Sequence, residues 1–460
     1  MTETSQAVVI GGGISGLACA YRLRKSGIGA TLLEAAVEPG GLVSTIEKDG
    51  FLFEAGPQSF QGTDTLSALF RELGIEKEVV IADPKAPRFV YRHGRLHKIP
   101  MSPQALVTSS LLGAGSRWKI ASEAFRKTSP PNEEETIANF VRRKFGHEIL
   151  EYLVAPFVSG VYAGDPERLS LRAAFPTLEE WEREYGSVLR GAMKSRPPKG
   201  ERKEAPPLCS FRRGLRTMMQ SLASKLGGAA RWNACVNAIA RDVSSSHSGF
   251  DIQFEQARQN AAIRASALIF ATPAYAASHL VGRVSHSLAA ILSGIAYAPV
   301  VVVAGGYQAN QFQRELAGFG FLVPRSERQR TLGTVFNSIL FPGRAGDGAA
   351  TITSFVGGAT DPEIINLPEE EIAAIVEEEN AKVLHIEGPP VARGVWKHPK
   401  ALPQYNLGHG HAVQNIRDAE GANPGLFFTG NYLEGPALGK CVEAAFQTAD
   451  TAANFLQSAR

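Results

Sequence analysis

A glycine-rich turn near the start of the chain has the spacing that a phosphate-binding loop needs. Gly11, Gly13 and Gly16 form the pattern G-x-G-x-x-G directly after an apolar run at residues 7–10, and a helical pattern follows. In this context the first glycine allows a tight turn, the second lets the backbone approach a pyrophosphate, and the third lets the helix pack on the strand. The N-terminus of the helix faces the phosphates with partial positive charge. The predicted dinucleotide site therefore comprises Gly11, Gly12, Gly13, Ile14, Ser15 and Gly16.

An acidic residue stands where the ribose of a dinucleotide needs a hydrogen-bond acceptor. Glu34 ends a second predicted strand at residues 31–34, about 20 residues beyond the glycine turn. Its carboxylate can accept hydrogen bonds from ribose hydroxyls, and its charge disfavours a 2′-phosphate. The strand, turn, helix and acid together predict a bound dinucleotide, but this pattern does not separate NAD from FAD.

The elements that must position this turn follow from the pattern of apolar residues. The order strand, turn, helix, strand over residues 7–34 predicts a Rossmann-like α/β domain. Further strands are predicted at residues 267–271, 299–304, 334–336 and 351–356, and a helix is predicted at residues 369–384. The sequence shows no internal repeat, which excludes a solenoid.

A helical region separates the two groups of strands. Helices are predicted at residues 104–127 and 133–145, and the second has three glutamates at its start and basic residues at its end, an order that suits the helix dipole. Residues 194–207 contain four prolines and seven charges, which predicts a surface linker. The predicted fold class is mixed α/β with a helical insertion.

Composition excludes several classes of protein. Hydrophobic residues make up 44% of the chain and charged residues 20%, as in an ordinary globular protein. Lys plus Arg number 48 and Asp plus Glu number 45, so the net charge of +3 is too small for a dedicated nucleic-acid-binding protein, although it suits an anionic membrane. The cysteines have no metal-binding spacing, which predicts reduced thiols and no metal site: Cys19, Cys209, Cys235 and Cys441.

No segment has the character of a signal peptide or of a membrane span. A strand begins almost at once, at residues 7–10, without a charged and apolar leader before it. The longest run without Asp, Glu, Lys or Arg is residues 284–313, which Pro299 and two adjacent glycines interrupt. This run is predicted to be a buried helix followed by a strand, so no transmembrane helix is expected.

A second glycine pair favours a flavin over a nicotinamide. Pro39, Gly40 and Gly41 resemble the second glycine pair of two-domain flavoproteins such as the amine oxidases, which places Gly41 and Leu42 in a predicted FAD site. Those families have an arginine where this chain has Leu42. The other glycine motif, at residues 113–115, lies in a predicted helix, so a nicotinamide site is not expected. Oxygen or another small acceptor would then take the electrons, which favours an oxidase.

Three further stretches extend this resemblance to one family. They are residues 53–59 (F-E-A-G-P-Q-S), 157–166 (F-V-S-G-V-Y-A-G-D-P) and 430–442 (G-N-Y-L-E-G-P-A-L-G-K-C-V). With the glycine turn, they resemble the flavin-dependent protoporphyrinogen oxidases over nearly the whole chain. The resemblance implies a Rossmann-like FAD-binding domain of the amine-oxidase type, an α+β substrate domain and a helical membrane-binding insertion.

The resemblance also implies how the chain divides. The FAD-binding part is expected in three segments, residues 1–84, 206–298 and 409–460. The helical insertion is expected at residues 85–205, and the substrate-binding sheet at residues 299–408. Trp118 stands between two basic residues, which suits a headgroup boundary. A cytoplasmic protein attached peripherally to the cytoplasmic membrane face is therefore expected, and a soluble helical cap is the alternative.

The implied reaction is the six-electron oxidation of protoporphyrinogen IX to protoporphyrin IX in haem biosynthesis, with non-covalent FAD, molecular oxygen as acceptor and hydrogen peroxide as by-product. This substrate is preferred because residues 318–322 resemble that group. A second cation in the site would instead favour coproporphyrinogen III, which has propionate arms in place of vinyl groups, and coproporphyrin III as product. An amine oxidase or desaturase, and a non-catalytic carrier, are other interpretations. Ferrochelatase as a partner and a homodimer are further hypotheses from the resemblance.

The resemblance assigns roles to individual residues. Arg88 matches an arginine that binds a substrate propionate, and Gly160 matches a glycine whose backbone lies against the substrate. The apolar wall of the substrate site is assigned to Phe319, Gly320, Leu322 and Phe355. The FAD contacts added to the glycine turn, Glu34, Gly41 and Leu42 are Gly56, Pro57, Gln58, Ser59, Val236, Pro436, Ala437, Leu438, Gly439, Lys440 and Cys441.

The sequence offers no conventional acid–base pair. It contains no Ser-His-Asp pattern and no paired carboxylates that would assign one. The available imidazoles are interpreted as structural: His97, His398, His409 and His411. Catalysis would then depend on the positioning of the substrate and on the chemistry of the flavin.

Overall fold

The described strands form two large sheets and two small ones. The computed structural model describes residues 3–109, 111–195, 206–242 and 249–458, so most of the predicted linker at residues 194–207 lies outside the described residues. The described strands are β1 Glu3–Ile10, β2 Ala30–Leu33, β3 Thr45–Lys48, β4 Phe51–Glu54, β5 Phe60–Gln61, β6 Val79–Ile81, β7 Arg88–Arg92, β8 Arg95–Lys98, β9 Leu208–Phe211, β10 Ala230–Arg231, β11 Ala234–Asp242, β12 Gly249–Gln256, β13 Gln259–Phe270, β14 Tyr297–Gln308, β15 Gly320–Leu322, β16 Thr331–Val335, β17 Ala349–Gly357, β18 Ala392–Pro403 and β19 Leu426–Phe428.

Helices surround both large sheets and fill the region between β8 and β9. The described helices are α1 Ile14–Lys25, α2 Asp64–Leu73, α3 Pro103–Thr108, α4 Ala114–Glu123, α5 Ile137–Lys144, α6 His147–Ile149, α7 Ala155–Tyr162, α8 Leu171–Ala174, α9 Pro176–Tyr185, α10 Val188–Lys194, α11 Arg216–Leu226, α12 Ala274–Val281, α13 His286–Ser293, α14 Asn337–Leu340, α15 Glu369–Leu384, α16 His409–Ala422, α17 Asn431–Glu434 and α18 Leu438–Ser458.

The first large sheet lies between two layers of helices. Its order is β10-β2-β1-β13-β12-β11, and β19 pairs with β13. Side chains of β1 alternate between the faces, so Val9 packs with α1, α11 and α18, whereas Val8 packs with α12, α13 and α16. Because β1 is buried on both faces and pairs in parallel with β2 and β13, its sequence is an unbroken apolar run. The predicted Rossmann-like arrangement over residues 7–34 is confirmed.

The second large sheet has the order β18-β14-β17-β16-β15-β7-β8. One face is covered by α15, which packs Ile372 and Val376 against β14 and β17, and whose bounds are those predicted from the sequence. The opposite face is turned towards α7, which packs against β15 and β16. The strands predicted at residues 299–304, 334–336 and 351–356 lie within or overlap β14, β16 and β17.

Two strands of this sheet come from a part of the chain that the sequence analysis assigns to the helical insertion. Residues 88–98 form β7 and β8, and β7 pairs in parallel with β15, with Arg88 opposite Gly320. The buried Val90 and Tyr91 supply the apolar contacts that hold this hairpin in the sheet. The helical insertion therefore begins after Lys98 and not at residue 85.

The helical region differs from the prediction in two further places. The helix predicted at residues 104–127 is two helices, because Ser102 caps α3 and a new helix begins after Gly113. The helix predicted at residues 133–145 begins only at Ile137, where the hydroxyl of Thr136 accepts a hydrogen bond from the N–H of Asn139. The three glutamates therefore precede that helix. Across the described ranges, no helix is long and apolar enough to cross a membrane.

Candidate functional site

Steric crowding explains the glycines between β1 and α1. Gly11 has a φ of +109°, and a Cβ at Gly16 would lie 1.8 Å from the carbonyl oxygen of Gly11, so neither position accepts a side chain. Gly13 is the N-cap of α1, and a Cβ there would meet nothing within 4 Å. The open space therefore lies at the N-terminus of the helix, where backbone N–H groups favour an anion.

Glu34 lies beside this turn, directly after β2. Its carboxylate accepts hydrogen bonds from the N–H of Gly12 and, at 2.7 Å, from that of Ala36. The N–H of Ala234 donates to the carbonyl of Glu34 at 2.7 Å, which places the start of β11, with Val236 two residues further on, beside the acid. The half-buried carboxylate thus stands at the end of the turn where an adenosine ribose would bind.

The second glycine pair packs on the first. The N–H of Gly40 donates to the carbonyl of Gly12 at 2.9 Å, and a Cβ at Gly41 would lie 3.4 Å from the Cα of Gly13. Leu42 follows with 38% of its surface exposed, and its carbonyl oxygen would be 2.0 Å from a Cβ at Gly56. The segments at residues 11–16, 40–42 and 54–58 therefore form one continuous backbone surface.

The C-terminal run closes the same surface from the other side. α18 packs along α1, and the buried Cys441 lies beside Ser15. Burial raises the pKa of the Cys441 thiol to about 11, so the thiol stays protonated near neutral pH. Lys440 points outwards and pairs with Glu443 at 3.0 Å, whereas Gly439 packs against Thr63. Among the described residues, no group of His, Cys, Asp and Glu side chains could hold a metal ion.

These features fit a dinucleotide. The space beyond Gly13 is open where a pyrophosphate would approach, the helix N-terminus supplies N–H donors, and Glu34 supplies the acceptor for a ribose. Sequence reasoning singled out these residues from the glycine spacing and from the acid at the end of β2, and their role as cofactor contacts stays a prediction.

The segment at residues 54–58 also carries contacts that sequence reasoning missed. Glu54 is 1% exposed and accepts hydrogen bonds from the Thr45 hydroxyl at 2.7 Å and the Leu215 N–H at 2.9 Å, and it forms an ion pair with the buried Arg344 at 3.3 Å. Burial raises the pKa of Glu54, and the charge of Arg344 opposes that shift. The sequence marks neither residue, because an isolated acid and a distant arginine carry no spacing signal.

Two more side chains reach the same segment from the second sheet. His398 on β18 lies with its Nε2 2.7 Å from the carbonyl oxygen of Ala55. Asn337, the first residue of α14, donates from Nδ2 to Oε1 of Gln58 at 2.7 Å. Both contacts join parts of the chain that are far apart in sequence, so no local pattern predicts them.

Apolar side chains meet between α7 and the second sheet, and we call this predicted substrate region the slot. Gly160 faces Leu322, because a Cβ at Gly160 would lie 2.8 Å from Leu322 Cδ2. Leu322 stands opposite Gly333, and Gly333 stands opposite Phe355, so these residues share one face of the sheet. Leu322 and Phe355 are half-buried, although their neighbours along the strands are buried. Phe157, one turn before Gly160 on α7, is 47% exposed, and its ring centre lies 6.1 Å from that of Phe175.

Arg88 stands on the same face of the sheet as Leu322. Its guanidinium lies 5.0 Å from the ring centre of Phe319, a geometry that a cation favours over an aromatic face. No carboxylate of the described chain is within ion-pair distance of it. The structure therefore brings together the six residues predicted to bind substrate: Arg88, Gly160, Phe319, Gly320, Leu322 and Phe355.

The buried titratable groups near this region are held in their neutral forms. His409 stacks on Tyr405 with ring centres 4.3 Å apart, and burial lowers the pKa of His409, which keeps it uncharged near neutral pH. Burial also raises the pKa of Tyr405 and Tyr432.

Comparisons with known proteins extend this description. Residues 14–456 match the family described as flavin containing amine oxidoreductase. A chloroplastic protoporphyrinogen oxidase of Oryza sativa subsp. japonica is 34% identical, over 98% of this chain and 89% of the rice protein. A coproporphyrinogen III oxidase of Bacillus subtilis (strain 168) is 28% identical, over 98% of both chains. A solved structure from Exiguobacterium sp. 255-15 has a TM-score of 0.82 and 22% sequence identity over 99% of both chains. The structure of a redesigned putrescine oxidase has a TM-score of 0.72 and 17% sequence identity over 100% of both chains.

The glycine turn, Glu34 and the layered sheet define a dinucleotide-binding flavoprotein. The chain belongs to the flavin-containing amine oxidoreductase family. It is a flavin-dependent oxidoreductase, and its cofactor is FAD. The predicted amine-oxidase-type fold and the predicted cofactor are thus confirmed, whereas the membrane-binding role of the helical insertion stays a prediction.

Proposed function

We propose that this enzyme oxidises a porphyrinogen to a porphyrin, with protoporphyrinogen IX as the preferred substrate and protoporphyrin IX as the product. Each of three rounds would remove two hydrogen atoms from the macrocycle and pass them to oxygen, which forms one hydrogen peroxide per round. The observation that carries the proposal is the group of apolar residues between α7 and the second sheet, with Arg88 on the same face and without a carboxylate partner among the described residues. The names of full-length relatives that are 34% identical support the same substrate class.

The residues of the slot suit a flat, apolar molecule with carboxylate arms. Leu322, Phe355 and Phe319 offer apolar surface, and the backbone of Gly160 packs directly against Leu322, so a ring edge would enter there once the Leu322 side chain moves. Arg88 can hold a propionate through two parallel hydrogen bonds, since no protein carboxylate competes for it among the described residues. The chain's own contribution is then to exclude water and to hold the macrocycle in one orientation.

FAD would be held without a covalent bond, by the backbone surface around Gly13, the acid Glu34 and the N-terminus of α18. When bound, the flavin supplies the group that accepts electrons from the substrate. The thiol of Cys441 is buried and protonated, which opposes covalent attachment at that residue. The carbonyl oxygens and N–H groups of residues 55–59 lie at the junction between this surface and the substrate slot.

Coproporphyrinogen III is the second candidate substrate, and one residue favours it. His97 stands opposite Val90 across the β7–β8 hairpin, on the same face as Arg88, and it is half-buried. An imidazole N–H there could donate a hydrogen bond to a second propionate of the substrate. The Bacillus subtilis relative named for that substrate is 28% identical, which is lower than the identity to the plant relatives.

The test compares the two porphyrinogens in parallel. Purified protein is mixed aerobically with each substrate, and porphyrin fluorescence is followed after correction for spontaneous oxidation. A faster enzymatic rate with protoporphyrinogen IX is the expected result. A faster rate with coproporphyrinogen III would transfer the assignment to that substrate, and no enzymatic rate with either would overturn the proposal.

Peripheral attachment to a membrane is part of the same proposal. The helical insertion exposes large apolar side chains, all in residues 101–193: Met101 69%, Trp118 64%, Phe125 83%, Phe157 47%, Val161 43% and Met193 58%. We expect W118Q/F125Q to reduce co-sedimentation with anionic vesicles, whereas I81Q, an exposed residue outside the insertion, should not. If W118Q/F125Q and I81Q co-sediment with vesicles to the same extent, attachment through the insertion is contradicted.

Ferrochelatase as a partner and a homodimer stay predictions.

A further inference from the structure

The segment at residues 54–58 is bonded by three side chains, one from β18 and two from the connection between β16 and β17. Arg344 pairs with Glu54, His398 reaches the carbonyl of Ala55, and Asn337 donates to Gln58. The same segment touches Leu42, which follows the second glycine pair. We call residues 54–58 the junction segment, because one side meets the predicted flavin surface and the other meets the substrate sheet.

Asn337 links the substrate sheet to the junction segment, through its backbone on one side and its side chain on the other. Its backbone follows β16, where Val335 pairs with Gly320, and the N–H of the preceding residue, Phe336, donates to the carbonyl of Phe319 at 2.9 Å. Its side chain donates to Gln58 at 2.7 Å. A single residue thus connects the predicted substrate wall at Phe319 and Gly320 to the tip of the junction segment.

The hydrogen bonds leave Gln58 one orientation. Its Nε2 donates to the carbonyl oxygens of Glu54 at 3.1 Å and Gly56 at 2.7 Å, so Oε1 must face Asn337. A flipped amide would set an oxygen against two carbonyl oxygens, which is unfavourable. Asn337 is 3% exposed, and its Oδ1 has no partner, so its hydrogen-bonding role is the donation to Gln58.

We propose that Asn337 is a positioning residue that sets the distance between the substrate wall and the flavin through Gln58. The inference rests on the proposed function, because it concerns how the substrate in that site is placed against the cofactor. Loss of the bond frees the Gln58 end of the junction segment from the wall, while Arg344 and His398 still hold Glu54 and Ala55. Since transfer from substrate to cofactor depends steeply on distance and alignment, the turnover number falls more than the affinity for either ligand.

The experiment uses N337L, because leucine has nearly the same shape and removes a buried oxygen that has no partner. The matched control is N380L. Asn380 is equally buried at 3% exposure and bonds Thr334 and Ser354 on the opposite face of the same sheet, away from the junction. FAD content, visible flavin spectrum, kcat and KM are measured for both holoenzymes with protoporphyrinogen IX.

We expect N337L to lose kcat by on the order of 10-fold, with KM and FAD content within about 2-fold of wild type. The flavin spectrum should shift in N337L alone, and Q58A/N337A should be no slower than the slower single variant, because both act through one bond. Unchanged kcat and spectrum in N337L, an equal loss in N380L, or additive effects of Q58A and N337A would overturn the inference.

Failure of the proposed function is distinguishable from failure of this inference. If the wild-type holoenzyme oxidises no porphyrinogen, the proposed function fails. The inference then depends on the flavin spectrum and its midpoint potential, which need no substrate. A shift of both in N337L and not in N380L supports the link through Gln58, and identical values in all three proteins overturn it.

Discussion

The cofactor turn and the helical insertion are stabilised by different kinds of interaction. In the turn, close backbone contacts decide which residues fit, as at Gly16, where a Cβ would lie 1.8 Å from a carbonyl oxygen. In the insertion, buried charges hold the helices together. Lys144 is 4% exposed and lies 3.1 Å from Glu123 on α4 and 3.1 Å from Glu182 on α9.

The rest of this ionic cluster satisfies the remaining lone pairs. Glu123 accepts hydrogen bonds from the Ser187 hydroxyl at 2.7 Å and the Val188 N–H at 2.9 Å, and Glu182 pairs with Arg143 at 2.6 Å. Four helices therefore meet at one charged centre. This comparison shows that the steric demands of the backbone can be predicted from neighbouring residues in the sequence. A charge cluster instead depends on partners that are distant along the chain.

The largest effect is expected at the turn. In G16A the added methyl group collides with the backbone of Gly11, so we expect a folded protein that binds no FAD, or no folded protein at all. The flavin-to-protein absorbance ratio after purification measures this. G410A is the control, because a Cβ there meets nothing within 4 Å on α16. Full FAD content in G16A would contradict the steric account.

We expect the loss of a buried charge to lower the stability of the helical insertion, and added side-chain volume to have little effect on it. K144M leaves the buried Glu123 without a cation, while Glu182 keeps its pair with Arg143, and we expect the loss to cost roughly 3–5 kcal/mol of unfolding free energy. Urea denaturation and limited proteolysis within residues 99–194 measure the change. R142M on the same helix breaks only the exposed pair with Glu167 and should cost about 1 kcal/mol or less. Equal losses in the two variants would refute the distinction between buried and exposed pairs.

Substrate binding supplies the next prediction. R88A removes the cation of the slot, so we expect KM for protoporphyrinogen IX to rise roughly 10- to 100-fold, the value of a charged hydrogen bond, with unchanged FAD content. R88K should recover part of the loss. R314A, an exposed arginine in the loop before β15, is the control. A KM for R88A within 2-fold of that of wild type would exclude Arg88 as the carboxylate contact.

As the pH falls, we expect the helical insertion to lose stability at a higher pH than the FAD-binding part of the protein. Burial opposes ionisation of Glu182, but hydrogen bonds from Arg143, Thr128 and Lys144 outweigh it and lower the pKa of Glu182 to about 2, below its ordinary value of 4.5. Ionised Glu182 contributes its full stabilisation of the folded state above pH 4.5, and this contribution is lost as the pH falls towards 2. The unfolding free energy should therefore fall by roughly 2 kcal/mol between pH 5 and 3. Proteolysis of the insertion against pH tests this, and E182Q should lack that part of the pH dependence.

The smallest effect is expected at Lys440. Its ammonium pairs with Glu443 on the exposed side of α18, so K440A should change the unfolding free energy by less than about 0.5 kcal/mol and leave FAD binding unchanged. Fluorescence quenching of added FAD measures the binding. A clear loss of affinity would show that this side chain contacts the cofactor, as the family resemblance implies.

The accuracy of the sequence predictions follows the same division. The strands around Gly11 and the helix at residues 369–384 were predictable because alternation, helical spacing and turn chemistry are local signals. The helical insertion was predicted less well, since β7 and β8 join a sheet whose other strands begin only at Tyr297, far along the chain. Its helix starts depend on the single capping residues Ser102 and Thr136, which propensity alone does not select.

The sequence by itself determined the dinucleotide turn, its acid and the family, because glycine spacing is a direct consequence of backbone geometry. The tertiary structure alone decided that Arg88 faces the slot beside Phe319, that Asn337 reaches Gln58, and that Lys144 joins two carboxylates. These contacts join residues up to 279 positions apart. The physical reason is that a hydrogen bond or ion pair depends on distance in space, and only the packing of the two sheets and the insertion sets that distance.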